Sequence, residues 1–510
     1  MRTPFLRQWV VATLAILWMI CSFNSTNAQN IWNRTYIQDR PSMRFSSIIN
    51  LDTTYNIIGV TVNRLPPFYE QFLTAKLNST GDFVTYKAEP DTTNINTGAY
   101  WNAFVKTSTG DFAFAGYGLD STQHLVFGLM DKYYDSIRIF RYYTPNTFAF
   151  QGSGLIQHDD STYFVTGVYN LNPGFNANVV LVKIDSSGNR LWEKYYDQGN
   201  FNFAESIIVL HNGHLMLGAF KNDLNHTNEQ ANTWLLEVDI DGNIIRQWFD
   251  STDSTYAAYG LRQTQDHGFI YGAQKKALQS VNDVYKIGTV VKLDSNFQKQ
   301  WCFSDGRYSE ETGIYDLEEL PDGSFVGCGN KPFYNGDSSM LSGWIVKLTA
   351  AGNVVWNRTY AGLKTSFSYN YLTDIDVLPD GSLIAVGQCQ NSNQQPSQVG
   401  WFLKLDSNGC EIENCLVGID ELQPEPVVTP SIKLYPNPAQ NSITIEYTDV
   451  SEASKLIVVD ALGVLIETKN LGETAGKLNL NTTAYQNGIY LARIEAEGKA
   501  LLKSKFIILK

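Results

Sequence analysis

The sequence predicts an all-β chain: a seven-bladed β-propeller followed by a small C-terminal β-sandwich of immunoglobulin-like type. Three observations predict it. Two independent markers each recur seven times, every recurrence holds four short strand candidates, and composition changes abruptly near residue 420. The repeat is read first, because its period decides the architecture.

The first marker is an apolar strand ending in Lys-(Ile/Leu), a turn containing Gly, then a strand that often carries Trp. It reads LTAKLNSTGDFVTY at 73–86, LVKIDSSGNRLWEKYY at 181–196 and LLEVDIDGNIIRQW at 235–248. It returns as VVKLDSNFQKQWCF at 290–303, IVKLTAAGNVVWNRTY at 345–360 and FLKLDSNGCEIENC at 402–415, with a degenerate copy, FGLMDKYYDSIRIF, at 127–140. The equivalent positions are Lys76, Leu129, Lys183, Glu237, Lys292, Lys347 and Lys404, spaced 53 to 57 residues apart. The second marker is a turn and a strand ending at glycine, as in LPDGSFVGCG at 320–329 and LPDGSLIAVG at 378–387. Its closing glycines are Gly59, Gly116, Gly167, Gly218, Gly272, Gly329 and Gly387.

In the sixth repeat the strand candidates are Tyr315–Leu320, Ser324–Gly329, Gly343–Leu348 and Asn353–Tyr360. Trp344, Val346 and Leu348 alternate with Ile345 and Lys347, the period of a pleated strand, and β-branched and aromatic residues dominate. Asp-Gly and Gly-Asn at the junctions supply the positive φ of tight hairpins. Four antiparallel strands per unit, seven times over, is the arithmetic of a β-propeller. One blade cannot bury both faces alone, so Trp192, Trp248, Trp301 and Trp356 are expected to wedge between neighbours. Residues 31–418 resemble the secreted propeller-repeat proteins of Bacteroidota, whose repeats read D-G-G-F-x-x-x-G and K-(L/I)-D-x-x-G-x-x-x-W. Asp185–Trp192 also partly resembles the tryptophan motif of quinoprotein propellers, one residue short between the Asp and the Gly.

Residues 419–431 (IDELQPEPVVTPS) have no periodicity and read as an extended linker. Beyond them strand candidates follow at 442–448, 455–461, 463–469, 477–481, 488–496 and 501–509, enough for a small sandwich. Four landmarks lie here in order: Tyr435-Pro436-Asn437-Pro438, Val459-Asp460-Ala461-Leu462-Gly463, Asn487-Gly488-Ile489-Tyr490, and Lys505 to Lys510. They resemble the type A C-terminal sorting domain of the type IX secretion system, with Pro436, Asn437, Pro438, Asp460, Gly463, Gly488, Tyr490 and Lys510 as its motif residues. Val464 departs from that family, which often has a basic residue there. The resemblance implies export of the folded protein across the outer membrane by the type IX machinery and removal of residues 432–510. It also implies attachment of the body to surface lipopolysaccharide, or its release, and a Bacteroidota source.

Residues 1–28 carry a basic start (Arg2, Arg7) and an apolar run after Trp9 too short to span a bilayer. They end at Thr26-Asn27-Ala28, a plausible signal-peptidase site. Met19-Ile20 precede Cys21 where a lipoprotein site needs small residues. The domains expected are thus a signal peptide at 1–28, the propeller at 29–418, the linker at 419–431 and the sorting domain at 432–510. The whole chain carries a formal charge of −13, and an acidic chain without Lys/Arg clusters excludes a nucleic-acid partner. An exported chain oxidises its cysteines. Cys410 and Cys415 are close enough to close a small loop and are the expected disulfide; the pairing of Cys302, Cys328 and Cys389 stays open.

No catalytic, cofactor-binding or metal-binding residue is assigned. His211 and His214 form an H-x-x-H but sit on a recurring hairpin turn without an acidic or cysteine partner. Asp239 to Asn243 imitates the start of a calcium loop, yet no Glu stands at its twelfth position, and the turn recurs at Asp185–Asn189. Asn33-Arg34-Thr35 and Asn357-Arg358-Thr359 match a glycosylation sequon but read as part of the repeat's fourth strand. Pro66-Pro67-Phe68-Tyr69 and Phe333-Tyr334-Asn335 place aromatics between strands, where they suit carbohydrate or protein contact or a hydrophobic cap. Carboxylates such as Glu310-Glu311 and Glu318-Glu319 serve sugar chemistry only if two of them converge. The function expected is therefore a surface binding or adhesion module, non-enzymatic and without cofactor, with a glycan or protein ligand. The alternative is a polysaccharide-degrading propeller enzyme with its site at the central channel.

One expectation concerns closure. Ile31 to Tyr36 nearly repeats Val355 to Tyr360, an outermost strand, and stands alone before the first repeat. The last repeat lacks a regular fourth strand. An open ring would leave an unpaired edge, so Ile31–Ile37 is expected to pair antiparallel with Gly400–Asp406.

Overall fold

The computed structural model describes residues 31–37, 42–51, 53–62, 70–88, 96–120, 122–144, 148–170, 177–197, 201–222, 231–250, 255–278, 284–306, 312–335, 338–365, 367–391, 397–411, 431–448, 450, 454–461, 463–473, 475–496 and 499–510. The expected leader at 1–28, the Pro66–Tyr69 loop, Glu310-Glu311, Cys415 and nearly all of the linker lie outside them. Every regular element among the described residues is a β-strand, and the chain divides into two units between residues 415 and 416.

The first unit is a seven-bladed propeller of four-stranded antiparallel blades. The innermost strands are Met43–Leu51, Asn96–Lys106, Ala149–Asp159, Phe201–Val209, Thr255–Gln263, Gly313–Glu319 and Tyr369–Val377, and neighbours among them touch in a closed cycle. The outermost strands of blades one to six are Phe83–Ala88, Ile137–Tyr142, Arg190–Tyr196, Ile244–Phe249, Lys299–Asp305 and Val354–Tyr360. The seventh blade takes its outermost strand from the front of the chain. Trp32–Tyr36 pairs antiparallel with Gln398–Leu405, in a register running from Trp32 opposite Lys404 to Tyr36 opposite Gly400. This is the closure read from the duplicated sequence.

The closing glycines have a physical cause. In blades one, three, four, six and seven the inner strand slips register by one residue, at Ser46, Ser153, Glu205, Tyr315 and Thr373. Each slip lies beside the closing glycine of the next strand. A bulge crowds the facing backbone. A Cβ on Gly59, Gly167, Gly329 or Gly387 would lie 1.8–2.1 Å from a carbonyl oxygen of the inner strand. No side chain fits there, which is why the marker survives in repeats that have lost other features.

Blades are tied at their outer strands. Tyr36, Tyr142, Tyr196 and Tyr360 each donate a hydrogen bond of 2.7–2.8 Å to the carbonyl of the turn glycine in the next blade: Gly81, Gly188, Gly242 and Gly409. Trp32, Trp192, Trp301 and Trp356 lie so close to Gly81, Gly242, Gly352 and Gly409 that a Cβ there would approach the indole to 2.6–2.9 Å. The wedge expected of the tryptophans is thus a ring laid on the neighbouring turn. Blades two and five lack that glycine and hold the same left-handed position with buried aromatics, Tyr134 (φ 66°) and Phe297 (φ 63°). Asn33 and Asn357 also have structural work. Their Oδ1 atoms accept from the buried indoles of Trp401 and Trp344, both at 2.6 Å. Their amide nitrogens are engaged as well, with Ala361 and Glu411 for Asn33 and with Asp305 for Asn357.

One detail differs from expectation. Phe333-Tyr334-Asn335 is not a loop: Phe325–Asn335 and Ser338–Leu348 form one long hairpin, with Asn335 opposite Ser338. The backbone groups of 330–335 pair with 338–343 and extend the sheet. Cys302, Cys328 and Cys389 form no disulfide among the described residues, and Cys410 is disulfide-bonded.

The second unit is a two-sheet β domain. Ser431–Tyr435, Ser442–Thr448 and Gly476–Asn481 form one sheet. Leu465–Asn470, Lys455–Asp460, Gly488–Ala496 and Lys499–Ile508 form the other. Ile443, Ile445, Leu456, Val458, Leu480, Ala492, Ile494, Phe506 and Ile508 fill the space between them. The strand at Ser431–Tyr435 is additional to those read from the sequence.

Candidate functional site

Counting 13 residues back from each closing glycine lands on Ser46, Ala103, Gly154, Glu205, Tyr259, Asp316 and Asp374. Blades one to three thus offer small residues to the inner ring, and blades four to seven offer ionisable ones. The ring is chemically one-sided.

On the ionisable side, Arg262 Nη2 of blade five donates to Asp316 Oδ1 at 3.1 Å and to Glu318 Oε1 at 2.8 Å, both of blade six. Asp316 is fully buried, whereas Arg262 and Glu318 keep 32% and 31% of their side-chain surface. The opening onto solvent is therefore between the guanidinium and Glu318. Asp316 Oδ2 accepts from the backbone N–H of Ile375 in blade seven at 3.2 Å, and Asp374 Oδ2 accepts from Ile48 N–H in blade one at 2.7 Å. Half of each aspartate thus pins two inner strands together. This tie alone accounts for buried acids at these positions.

The other halves interact. Burial first, and then the charge of Asp316 and a hydrogen bond to it, hold the Asp374 carboxyl well above the usual carboxylate range. Asp374 is the protonated partner of the pair, because two close carboxylates cannot both ionise. Burial also raises Asp376 and Glu318, the latter against the pull of Arg262. Burial works against the Arg262 charge, but Glu318 and Asp316 outweigh it and keep the guanidinium ionised. Glu205, in blade four, is pushed up to about 8 by burial alone. A proton held more tightly by the folded chain stabilises it fully below the ordinary value of 4.5, and the stabilisation is lost as pH rises through about 8. Each such proton contributes a slope of about 1.4 kcal/mol per pH unit. Glu205→Gln should therefore flatten the fall in urea midpoint between pH 5 and 8; an unchanged slope would place the titration elsewhere.

Several residues singled out in the sequence do not converge. Glu318 joins the cluster, while its neighbour Glu319 accepts from Gln265 N–H at 2.9 Å, away from it. His211 lies 3.0 Å from His267 of the next blade, and His214 lies 2.8 Å from Glu237, so the pair does not share a ligand position. Both oxygens of Asp239 are taken by its own turn, Oδ1 from Asp241 and Asn243 N–H and Oδ2 from the Asn243 amide. Arg262, Asp374, Asp376, Glu205 and Tyr259 were missed. The count back from the closing glycine is the signal that would have found most of them.

In the C-terminal unit the landmarks, far apart in sequence, meet at the last strand. Asn437 accepts from Ile507 N–H at 2.9 Å and donates to Lys505 O at 3.2 Å. Ala439, just past Pro438, pairs with Ile507 and Leu509 through its backbone. Asn487 accepts from Lys510 N–H at 2.8 Å, and the Lys510 ammonium donates to Thr483 O and Tyr485 O at 2.5 and 2.7 Å. Tyr490 stacks on Phe506 with centroids 5.4 Å apart. Asp460 and Gly463 close a tight turn in which Gly463 has φ 81°. Two of the other three landmarks therefore grip the terminal strand.

Seven antiparallel blades around an inner ring, with a separate small β domain after them, define a β-propeller protein with a C-terminal accessory domain. Residues 433–509 match the family described as secretion system C-terminal sorting domain, so this is a secreted β-propeller protein bearing a type IX sorting domain, which marks export and attachment at the cell surface. No curated protein matches the chain in sequence. Among solved structures it is similar to PorZ of Porphyromonas gingivalis, an essential bacterial surface component of the type-IX secretion system. That match has 11% identity and TM-score 0.30, and covers 94% of this chain and 70% of PorZ. It is also similar to the β-propeller domain of the Trilobed protease from Pyrococcus furiosus (9% identity, 76% of this chain and all of that one, TM-score 0.41). A third likeness is to polysaccharide lyase Uly1 (8%, 75% and 93%, TM-score 0.42). At these scores the likenesses carry no functional argument.

Proposed function

We propose that the protein is a cell-surface binding or adhesion module whose glycan or protein ligand docks at the inner ring of blades four to seven. The observation that supports this is the one-sided ring. Arg262 and protonated Glu205 are donors, Glu318 is an acceptor, and small residues face them from blades one to three. The reading includes a leader at 1–28, a linker at 419–431, a Cys410–Cys415 disulfide, a Bacteroidota source, and attachment of the sorted body to surface lipopolysaccharide. A glycan array and a degradation screen of the full chain test it, with Arg262→Ala alongside. The expected result is ligand retention without product, weakened at least about tenfold in the variant, since a hydrogen-bonded charge contributes roughly 1.5–3 kcal/mol. Release of product from any polysaccharide would sink the pure binding reading. It would favour a degrading enzyme, for which Glu205 has the protonation state a general acid needs at neutral pH.

A further inference from the structure

The repeat places one residue of each outermost strand opposite the recurrent lysine position, facing the next blade. In blades three, five, six and seven it is tryptophan: Trp192 opposite Lys183, Trp301 opposite Lys292, Trp356 opposite Lys347 and Trp32 opposite Lys404. In two of these seams the ring it covers lies four residues before the next blade's closing glycine. Trp301 packs on Phe325 with centroids 5.9 Å apart, and Trp32 on Tyr55 at 6.2 Å. Where tryptophan is missing, the seam is usually filled by other means. Blade one has Thr85 opposite Lys76, and Tyr134 of blade two fills that seam, donating from its hydroxyl to Asn56 Oδ1 at 2.9 Å. Blade four has Arg246, whose guanidinium lies 4.1 Å from the Phe297 ring and donates to Ser295 O at 2.9 Å.

In the seam between blades two and three Phe140 takes the place on the turn, where a Cβ on Gly188 would approach its ring to 2.2 Å, and the tryptophan position itself is left open. Arg138 stands opposite Leu129 in the tryptophan position, is exposed, and makes no hydrogen bond among the described residues. Beside it is a cavity of about 200 Å³. Tyr163, the equivalent of Phe325 and Tyr55, lines it. That residue is 4% exposed, its ring packs on Phe127, and its hydroxyl has no hydrogen-bond partner among the described residues. Phe112 and Met130 form the apolar part of the wall; Asp111, Gln157 and Asp160 add acceptors.

We propose that the cavity at this tryptophan position is a binding site for one ring of a neutral saccharide, the end unit of a glycan chain. The volume is below the roughly 300–1,000 Å³ of sites for drug-sized ligands, so one small unit fits. An aromatic wall suits the C–H face of a pyranose, and hydroxyls that both donate and accept need the mixture that Arg138, Tyr163, Gln157 and the aspartates offer. Asp111, Asp131 and Asp160 outnumber Arg138, so a uronate is disfavoured. The site is separate from the inner ring and does not depend on that reading.

Filling the seat tests it. Arg138→Trp restores the residue that four other blades carry, so the ring should fold with unchanged circular dichroism and thermal midpoint. Saturation-transfer NMR of the purified full chain with glucose, galactose, mannose, N-acetylglucosamine and glucuronate is the readout. Transfer is expected to at least one neutral sugar and not to glucuronate, to fall at least about tenfold in Arg138→Trp, and to weaken about fivefold in Tyr163→Phe, the loss of one hydrogen bond. Absence of transfer from all the neutral sugars, or equal transfer in a folded Arg138→Trp, overturns the proposal. Transfer abolished only by Arg262→Ala also overturns it, and supports the inner-ring site instead.

Discussion

A chain lacking residues 31–37 is expected to lose the cooperative unfolding of the entire ring, not merely the order of one end. The first strand supplies the outer edge of blade seven and the wedge on blade one. Trp32 packs edge-on to Phe402 at 4.4 Å, Tyr36 is tied to Gly81, and Asn33 satisfies the buried Trp401 indole. Truncating a single buried aromatic costs about 3–5 kcal/mol, and the strand carries two that pack into the core. The loss is then of the same order as the 5–15 kcal/mol that stabilises a typical domain. Urea unfolding followed by tryptophan fluorescence, with limited proteolysis under native conditions, measures it. A truncated chain that keeps a single transition near the parental midpoint, with cleavage confined to blade seven, would show that closure contributes little. A milder version isolates one contact. Asn33→Ala leaves the Trp401 N–H unpaired and should cost about 1–3 kcal/mol, and Asn357→Ala should match it through Trp344.

Deleting residues 432–510 should abolish surface display while leaving the propeller folded. The sorting domain has its own core, and the seven blades have theirs. With the leader proposed at 1–28 carrying the chain past the inner membrane, the truncated protein should accumulate in the periplasm, with surface labelling at background. Protease shaving of intact cells against fractionated lysates distinguishes the compartments. Ordinary surface labelling of the truncated chain would refute the role assigned to the domain. Within it, Asn437→Ala and Asn487→Ala each remove a side-chain grip on the final strand while sparing the core, and they should reduce display in proportion to the freedom given to Lys505–Lys510.

The propeller was legible because its markers record steric necessity. Gly329 and Gly387 cannot be anything else beside a bulge, and the Asp185 and Asp239 turns need glycine where the chain reverses under a neighbouring aromatic. Closure was legible because Trp32–Tyr36 repeats the outer strand of blade six residue for residue. The Phe325–Asn335 hairpin was read too short. Pro332 interrupts the strand pattern, so Phe333-Tyr334-Asn335 reads as lying between strands. The ionisable cluster was not legible as a site. Arg262, Asp316 and Asp374 are more than 50 residues from one another, and each sits in a strand whose apolar neighbours look alike. Only the ring brings them together. The seat beside Arg138 was hidden for a related reason. The degenerate second repeat registers as a weak match, whereas its departure from tryptophan is the informative feature.

The duplication that reveals closure also sets a kinetic problem during synthesis. Residues 32–36 are made first, and their native partner at 398–405 last, so for most of the chain's emergence this strand has no edge of its own to join. The edge it fits by sequence and that appears earlier belongs to Ser338–Leu348, whose proper occupant, Val354–Tyr360, contains the same WNRTY. Trp344 and Trp401 present the same indole to the same asparagine, so local chemistry does not discriminate between the two seats. Discrimination rests on the tether. The proper occupant of blade six is joined to its partner by a five-residue turn, whereas the rival must close a loop of some 300 residues at a larger entropic cost. Lengthening that short turn would slow the rightful strand and let the wrong one compete, giving a ring closed one blade early with the seventh left over.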